Sequence, residues 1–153
     1  MNEACFYCAR DERLQQLMIE VCRFPFSTLY LSRDQSYSGR CIIAFREHRT
    51  EWFHLTRMER APFIEEVALA AQAINDVFAP DKINYAVYGD IVSHLHVHLV
   101  PKYIGGARWG EAFDNNVAHP SACLPAEYDS AIDRLKTRLE QLWQLSTSEA
   151  SEE

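Results

Sequence analysis

The sequence predicts an α+β fold in a single domain over residues 1–145, followed by a disordered acidic tail at 146–153. Three observations carry that expectation. Ser93-His94-Leu95-His96-Val97-His98-Leu99-Val100-Pro101 alternates aliphatic and imidazole side chains, the period of a strand with one buried face. Phe63, Val67, Ala70, Ala71, Ile74 and Phe78 recur at spacings of three and four, which makes one long helix whose apolar stripe packs on the sheet. Pro125 to Leu145 repeats the pattern with Leu135, Leu139, Leu142 and Trp143 on or near one face, a second and C-terminal helix.

The remaining elements follow in order. Asp11 caps a helical turn reaching Gln16, and residues 18–23 read as a strand broken by Pro25. Ser27 to Leu31 is a clearer strand. Residues 32–39 are turn-rich and close on Gly39, which suits positive φ. Arg40 to Phe45 is nearly all apolar, the mark of a strand buried on both faces. Thr56-Arg57-Met58-Glu59 has the form of a capping box for the long helix, which Pro80 ends. Lys82 to Tyr88 is a strand, Gly89-Asp90 a turn, and Ile91 to Val100 the histidine strand, so that the last two are antiparallel neighbours. Residues 104–120 form a loop long enough for a lid or interface, in which Trp109 and Phe113 cover a pocket, meet a second subunit or pack locally.

Composition narrows the function. A net charge of −7 argues against nucleic-acid backbones and anionic membranes as partners, and no apolar run approaches a membrane span. The first residues lack the basic-then-apolar pattern of a secretory leader, so the expected compartment is the cytoplasm. Five scattered cysteines do not form a disulfide framework there. Cys22 and Cys41 sit in apolar runs as small core residues, whereas Cys5-Phe6-Tyr7-Cys8 is half of a zinc site or a redox pair. Nothing strand-like precedes it, which favours zinc.

Three of the six histidines fall within five residues. On a strand His94, His96 and His98 stand in a row about 7 Å apart, where strand propensity does not explain them but metal binding, proton transfer or nucleophilic attack does. Cys5, Cys8, His48 and His94 supply the four ligands of a closed structural zinc site. His96 and His98 are then free: a neutral imidazole attacks an α-phosphate, and its neighbour stabilises the charge. Two rival readings are a metallohydrolase with zinc on three histidines, and a nucleotide-binding module without turnover. His54 and His119 have no comparable support.

His94-Leu95-His96-Val97-His98-Leu99-Val100 resembles the histidine triad (HIT) motif, with Lys82-Ile83-Asn84-Tyr85 and Pro101-Lys102-Tyr103 similar to the flanks in bacterial members, and Cys5-x-x-Cys8 similar to the zinc-binding ones. The resemblance spans roughly residues 4–103. It implies a HIT-like antiparallel sheet of about five strands, usually in a homodimer, and a nucleotide hydrolase or transferase. The cleaved bond is that of an α-phosphate in a dinucleoside polyphosphate or a nucleoside phosphoramidate. His96 maps to the nucleophile that carries the nucleotidyl intermediate, and His98 to the phosphate contact. Zn²⁺ is implied as a structural ion at Cys5, Cys8, His48 and His94, with no organic cofactor. Asn84, Asp90 and Lys102 are candidate substrate contacts. The sequence departs from the family in three places. Gly89-Asp90-Ile91-Val92-Ser93 lacks the usual Gln, Ser32 replaces an acid or Asn that binds ribose, and Arg40 replaces a common histidine.

Overall fold

A computed structural model describes residues 4–149, with side chains as far as Leu145. Five strands form one antiparallel sheet: β1 (Met18–Arg23), β2 (Ser27–Ser32), β3 (Cys41–Phe45), β4 (Lys82–Ala86) and β5 (His96–Lys102), in the order β1-β2-β3-β5-β4. Among the described residues four α-helices accompany it, α1 (Phe6–Ala9), α2 (Glu12–Leu17), α3 (Arg57–Phe78) and α4 (Pro125–Glu149), with a short 3-10 turn at Trp52–His54. The α+β class with about five antiparallel strands is as the sequence leads one to expect. Among the described residues, no helix is long and apolar enough to cross a membrane.

One face of the sheet carries the main core. Val21, Leu29, Leu31, Cys41, Ile43, Val97 and Leu99 point into it and meet Phe63, Ala70 and Ile74 of α3 and Leu135 and Leu139 of α4. The alternation in β5 therefore has the predicted sense, with Leu95, Val97 and Leu99 inward. A buried carboxylate ties α3 to the sheet: Glu66 accepts from the Ser27 hydroxyl at 2.5 Å and the Phe26 N–H at 2.9 Å. At its start, Glu59 accepts from the Thr56 N–H at 2.7 Å, the reciprocal half of the expected capping box.

The opposite face is covered piecemeal. The arm at 4–17 lays Cys5, Tyr7 and Leu14 over Tyr30, Ile42 and Ala44. Tyr37 and Phe113, the latter from the long loop, cover Val100. Both sides of β2 and β3 are thus buried, and the histidine face lies between the two small clusters.

Three boundaries differ from expectation. The histidine strand starts at His96 rather than Ile91, and β4 stops at Ala86, so residues 87–95 form a wide connection instead of a tight turn. The β3–β5 ladder ends at Ala44 opposite His96, and β3 has no further strand residues to pair with His94. The C-x-x-C segment, expected as half of a zinc site or a redox pair, contains the helical turn α1. Helix α4 runs through Glu149, so residues 146–149 of the tail expected to be disordered are helical; residues 150–153 lie outside the described residues.

Candidate active site and metal centre

The end of β3, the start of β5 and the N-terminal arm converge on the cysteine pair. Cys5, Cys8, His48 and His94 bring their ligand atoms within 4.8 Å of one another. Cys5 Sγ lies 3.4 Å from His94 Nδ1, Cys8 Sγ 3.3 Å from His48 Nδ1 and 3.6 Å from His94 Nδ1. A tetrahedral zinc with ordinary Zn–S and Zn–N bonds separates such ligand atoms by about 3.5 Å, so the donor set fits that ion in type, number and spacing. His94 Nε2–H donates to the Phe45 carbonyl at 2.7 Å. A carbonyl only accepts, so the proton sits on Nε2 and the Nδ1 lone pair faces the two sulfurs, the orienting bond usual behind a ligating imidazole. Burial and neighbouring Cys5 push the Cys8 thiol up to about 11, and burial holds His94 down to about 4; a dication supplies the charge that two thiolates require.

His94 is thereby separated from the other two histidines. His96 and His98 remain on the ladder and line a cleft of about 1360 Å³ beside the cysteine cluster. His96 Nδ1–H donates to the His94 carbonyl at 2.5 Å, which leaves the lone pair on Nε2. Burial lowers the pKa of His96 and takes that of His98 down to about 3, where nearby His96 and Arg40 add to the effect. Both rings are therefore neutral at physiological pH. The rings stand 5.1 Å apart between centroids.

Aromatic walls hold them. Tyr7, inside the C-x-x-C turn, places its ring 5.0 Å from His94 and 5.2 Å from His96. Tyr88 and Phe113 lie 5.5 Å and 6.0 Å from His98. The arm that carries the two cysteines of the cluster thus also forms a wall of the histidine site.

The predicted substrate contacts separate. Asp90 lines the cleft, as does Ser32. Lys102 does not: it is buried, and its ammonium donates to the Arg108 carbonyl at 2.6 Å and the Glu111 carbonyl at 3.2 Å. Its charge anchors the long loop, away from the cleft lining. Asn84 of β4 pairs with Val100 of β5, two residues beyond the His98 register and off the cleft lining. The loop itself packs Phe113 locally and sends Asn115 and Asn116 to the cleft wall, while Trp109 is exposed. His54 Nδ1 pairs with the Thr50 hydroxyl, and His119 is exposed. Tyr7, Tyr88 and Arg40 also line the cleft, and of these three only Arg40 carries a signal in the sequence, as a departure from the family pattern.

A model of the HIT domain matches residues 15–105. The chain belongs to the HIT family. Among solved structures, a histidine triad protein from Bradyrhizobium japonicum superposes with a TM-score of 0.77 at 25% identity, over 84% of this chain and 96% of that one. One from Marinobacter aquaeolei gives 0.77 at 22% identity, over 86% and 96%. A zinc-bound histidine triad family protein from Mycobacterium smegmatis gives 0.63 at 18% identity, over 93% and 97%. No curated protein matches the sequence significantly. This HIT domain keeps all three histidines of the motif, with the first in the Cys₂His₂ cluster and the second and third lining the adjoining cleft.

Proposed function

We propose that this HIT protein is a nucleotide hydrolase that cleaves an α-phosphate bond through a nucleotidyl-histidine. The observation that carries the reading is the bond from His96 Nδ1–H to the His94 carbonyl, which holds Nε2 as an unprotonated nucleophile over the cleft. Nε2 attacks the α-phosphorus, the bond to the leaving group breaks, and that group departs with the electron pair. His98 lies along the same strand face to donate to a phosphate oxygen as charge builds there. Water then attacks phosphorus, the P–N bond breaks, and the nucleotide leaves with His96 regenerated. Dinucleoside polyphosphates and nucleoside phosphoramidates both present such a bond.

Cys5, Cys8, His48 and His94 would hold Zn²⁺. With four protein ligands the ion has a structural role, joining the arm to the sheet. Because His94 turns to the cysteines and His96 and His98 do not, the donor geometry favours this reading over a zinc on three histidines.

The proposal extends to a cytoplasmic homodimer that binds a small nucleotide and no nucleic acid. The net charge of −7 supports the partner class. The edge strand β4 and its continuation expose Tyr85, Val87 and Ile91, an apolar strip suited to sheet joining.

The test is intact-protein mass after mixing with a fluorogenic adenosine phosphoramidate, for wild type, His96→Ala and His98→Ala, with zinc content measured on the same samples. The expected result is a transient AMP adduct lost in His96→Ala, with zinc near one per chain in all three. Loss of metal on mutating His96, with no adduct in wild type, overturns the covalent reading.

A further inference from the structure

Arg40 is a cation set into the cleft wall. It directly precedes β3, and its backbone is pinned on both sides: its N–H donates to the Tyr37 carbonyl at 2.9 Å and its carbonyl accepts from the Ser32 N–H at 3.0 Å. Ile42 pairs with His98 in the β3–β5 ladder, so Arg40, two residues earlier, shares the histidine face and sits diagonally beyond His98. Along that face the order runs from the Cys₂His₂ cluster to His96, to His98, to Arg40.

The guanidinium is nearly inaccessible, with 4% of the residue exposed, and its charge is only partly matched. One terminal nitrogen meets Asp34 at 3.3 Å and the other donates to the Asn115 side chain at 2.8 Å. A single long contact is weak compensation for a buried charge. Asp34 is shared, since its other oxygen accepts from the Ser36 hydroxyl at 2.6 Å and the Ser121 N–H at 3.2 Å. The flat face lies 5.7 Å from the Phe113 ring, which orients the fork. Among the described residues, two buried side-chain polar atoms find no hydrogen-bond partner, and they are Arg40 Nε and His98 Nδ1. Both belong to residues that line the cleft. A merely structural arginine would spend its donors on protein acceptors; this one keeps donor capacity next to the phosphate-contact histidine.

We propose that Arg40 recognises a second phosphate of the substrate, adjacent to the one His96 attacks, and so makes nucleotides with a polyphosphate chain the preferred substrate class over amine-linked nucleoside monophosphates. The assignment rests on the reading of the cleft as a nucleotide site. A chain whose α-phosphate lies at His96 and His98 continues along the sheet face to Arg40. When the anhydride Pα–O bond breaks, the bridging oxygen keeps the electron pair as part of the departing phosphate, and the guanidinium offsets that charge. An uncharged amine leaving group has no use for it.

The test compares wild type, Arg40→Met and Arg40→Lys by two readouts. The first is the ratio of kcat/KM for diadenosine tetraphosphate to that for an adenosine phosphoramidate with an uncharged amine. One lost charge-assisted contact lowers that ratio about 10- to 100-fold in Arg40→Met, and Arg40→Lys recovers part of it. The second is calorimetric binding of ADP against AMP, which needs no turnover. Wild type binds ADP more tightly, and Arg40→Met loses the preference. An equal fall for both substrates, or no preference of wild type for ADP, overturns the assignment. If neither substrate turns over but ADP is preferred through Arg40, the hydrolase reading fails and the phosphate assignment stands. Should Arg40→Met fail to fold, Arg40→Lys and the wild-type ADP preference still decide the matter.

Discussion

On its helix-covered face the sheet presents Leu29, Leu31, Cys41, Ile43, Val97 and Leu99 to a single continuous core. On the other face it presents Arg40, His96 and His98 between two small apolar clusters contributed by the N-terminal arm and the long loop. The same strands supply both. Residues of one parity face the helix-side core and those between face the cleft and the small apolar clusters, so β5 is buried at all seven positions for two unrelated reasons. The helix face holds none of the histidines, whereas the other face carries both the Cys₂His₂ cluster and the cleft.

That contrast can be broken most sharply at His96. Replacement by alanine removes the proposed nucleophile and lowers turnover by at least ~10³-fold, while the thermal unfolding midpoint shifts by only a few degrees; steady-state rates and a melting curve on one preparation check both halves. A large drop in the midpoint would mean that the ring is part of the core.

Metal removal tests the coupling next. If the arm is held by zinc, chelation or Cys5→Ala costs about 3 kcal/mol or more, a shift of ~10 °C for a chain of this size. It also loosens the Tyr7 wall of the histidine site. Calorimetry with and without chelator, followed by zinc repletion, measures it. An unchanged midpoint would detach the arm from the fold's stability.

The helix face gives the converse. Leu135 of α4 is fully buried, and Leu135→Ala costs about 2–5 kcal/mol with little change in kcat at 20 °C, as measured by urea unfolding and kinetics. A kcat falling in step with stability would erase the distinction between the faces.

The smallest effect lies at Glu66. Burial raises the pKa of its carboxyl despite the Ser27 and Phe26 bonds. A carboxyl raised in the folded state contributes most below its unfolded pKa of about 4.3, and that contribution is lost as pH rises through the folded value. The stability gap between wild type and Glu66→Gln is therefore expected to be widest near pH 4 and to narrow towards pH 7. A pH-independent gap in denaturant titrations would place the residue's role in packing alone.

Legibility follows the same division. Leu95, Val97 and Leu99 could be assigned inward because a strand's period of two is a local property. The stripe of α3 is local in the same sense, at its own period. The histidine strand was drawn too long because pairing depends on the partner's length: β3 has no residue opposite His94. The position of Lys102 beside the motif says nothing of the loop carbonyls at Arg108 and Glu111, which fold back to take its ammonium. Tyr7 carried no signal of its own, since it reaches His96 only once the arm has docked.

The sequence by itself determined the fold class, the inward face of the histidine strand and the candidate ligand and nucleophile types, because residue chemistry and short-range periodicity are written along the chain. Tertiary structure alone decided that the arm supplies a wall of the cleft and that Arg40 stands buried beyond His98 with its Nε unpartnered among the described residues. Those outcomes depend on contacts between segments far apart in sequence, such as Tyr7 with His96 and Arg40 with Asn115. No local pattern encodes such contacts.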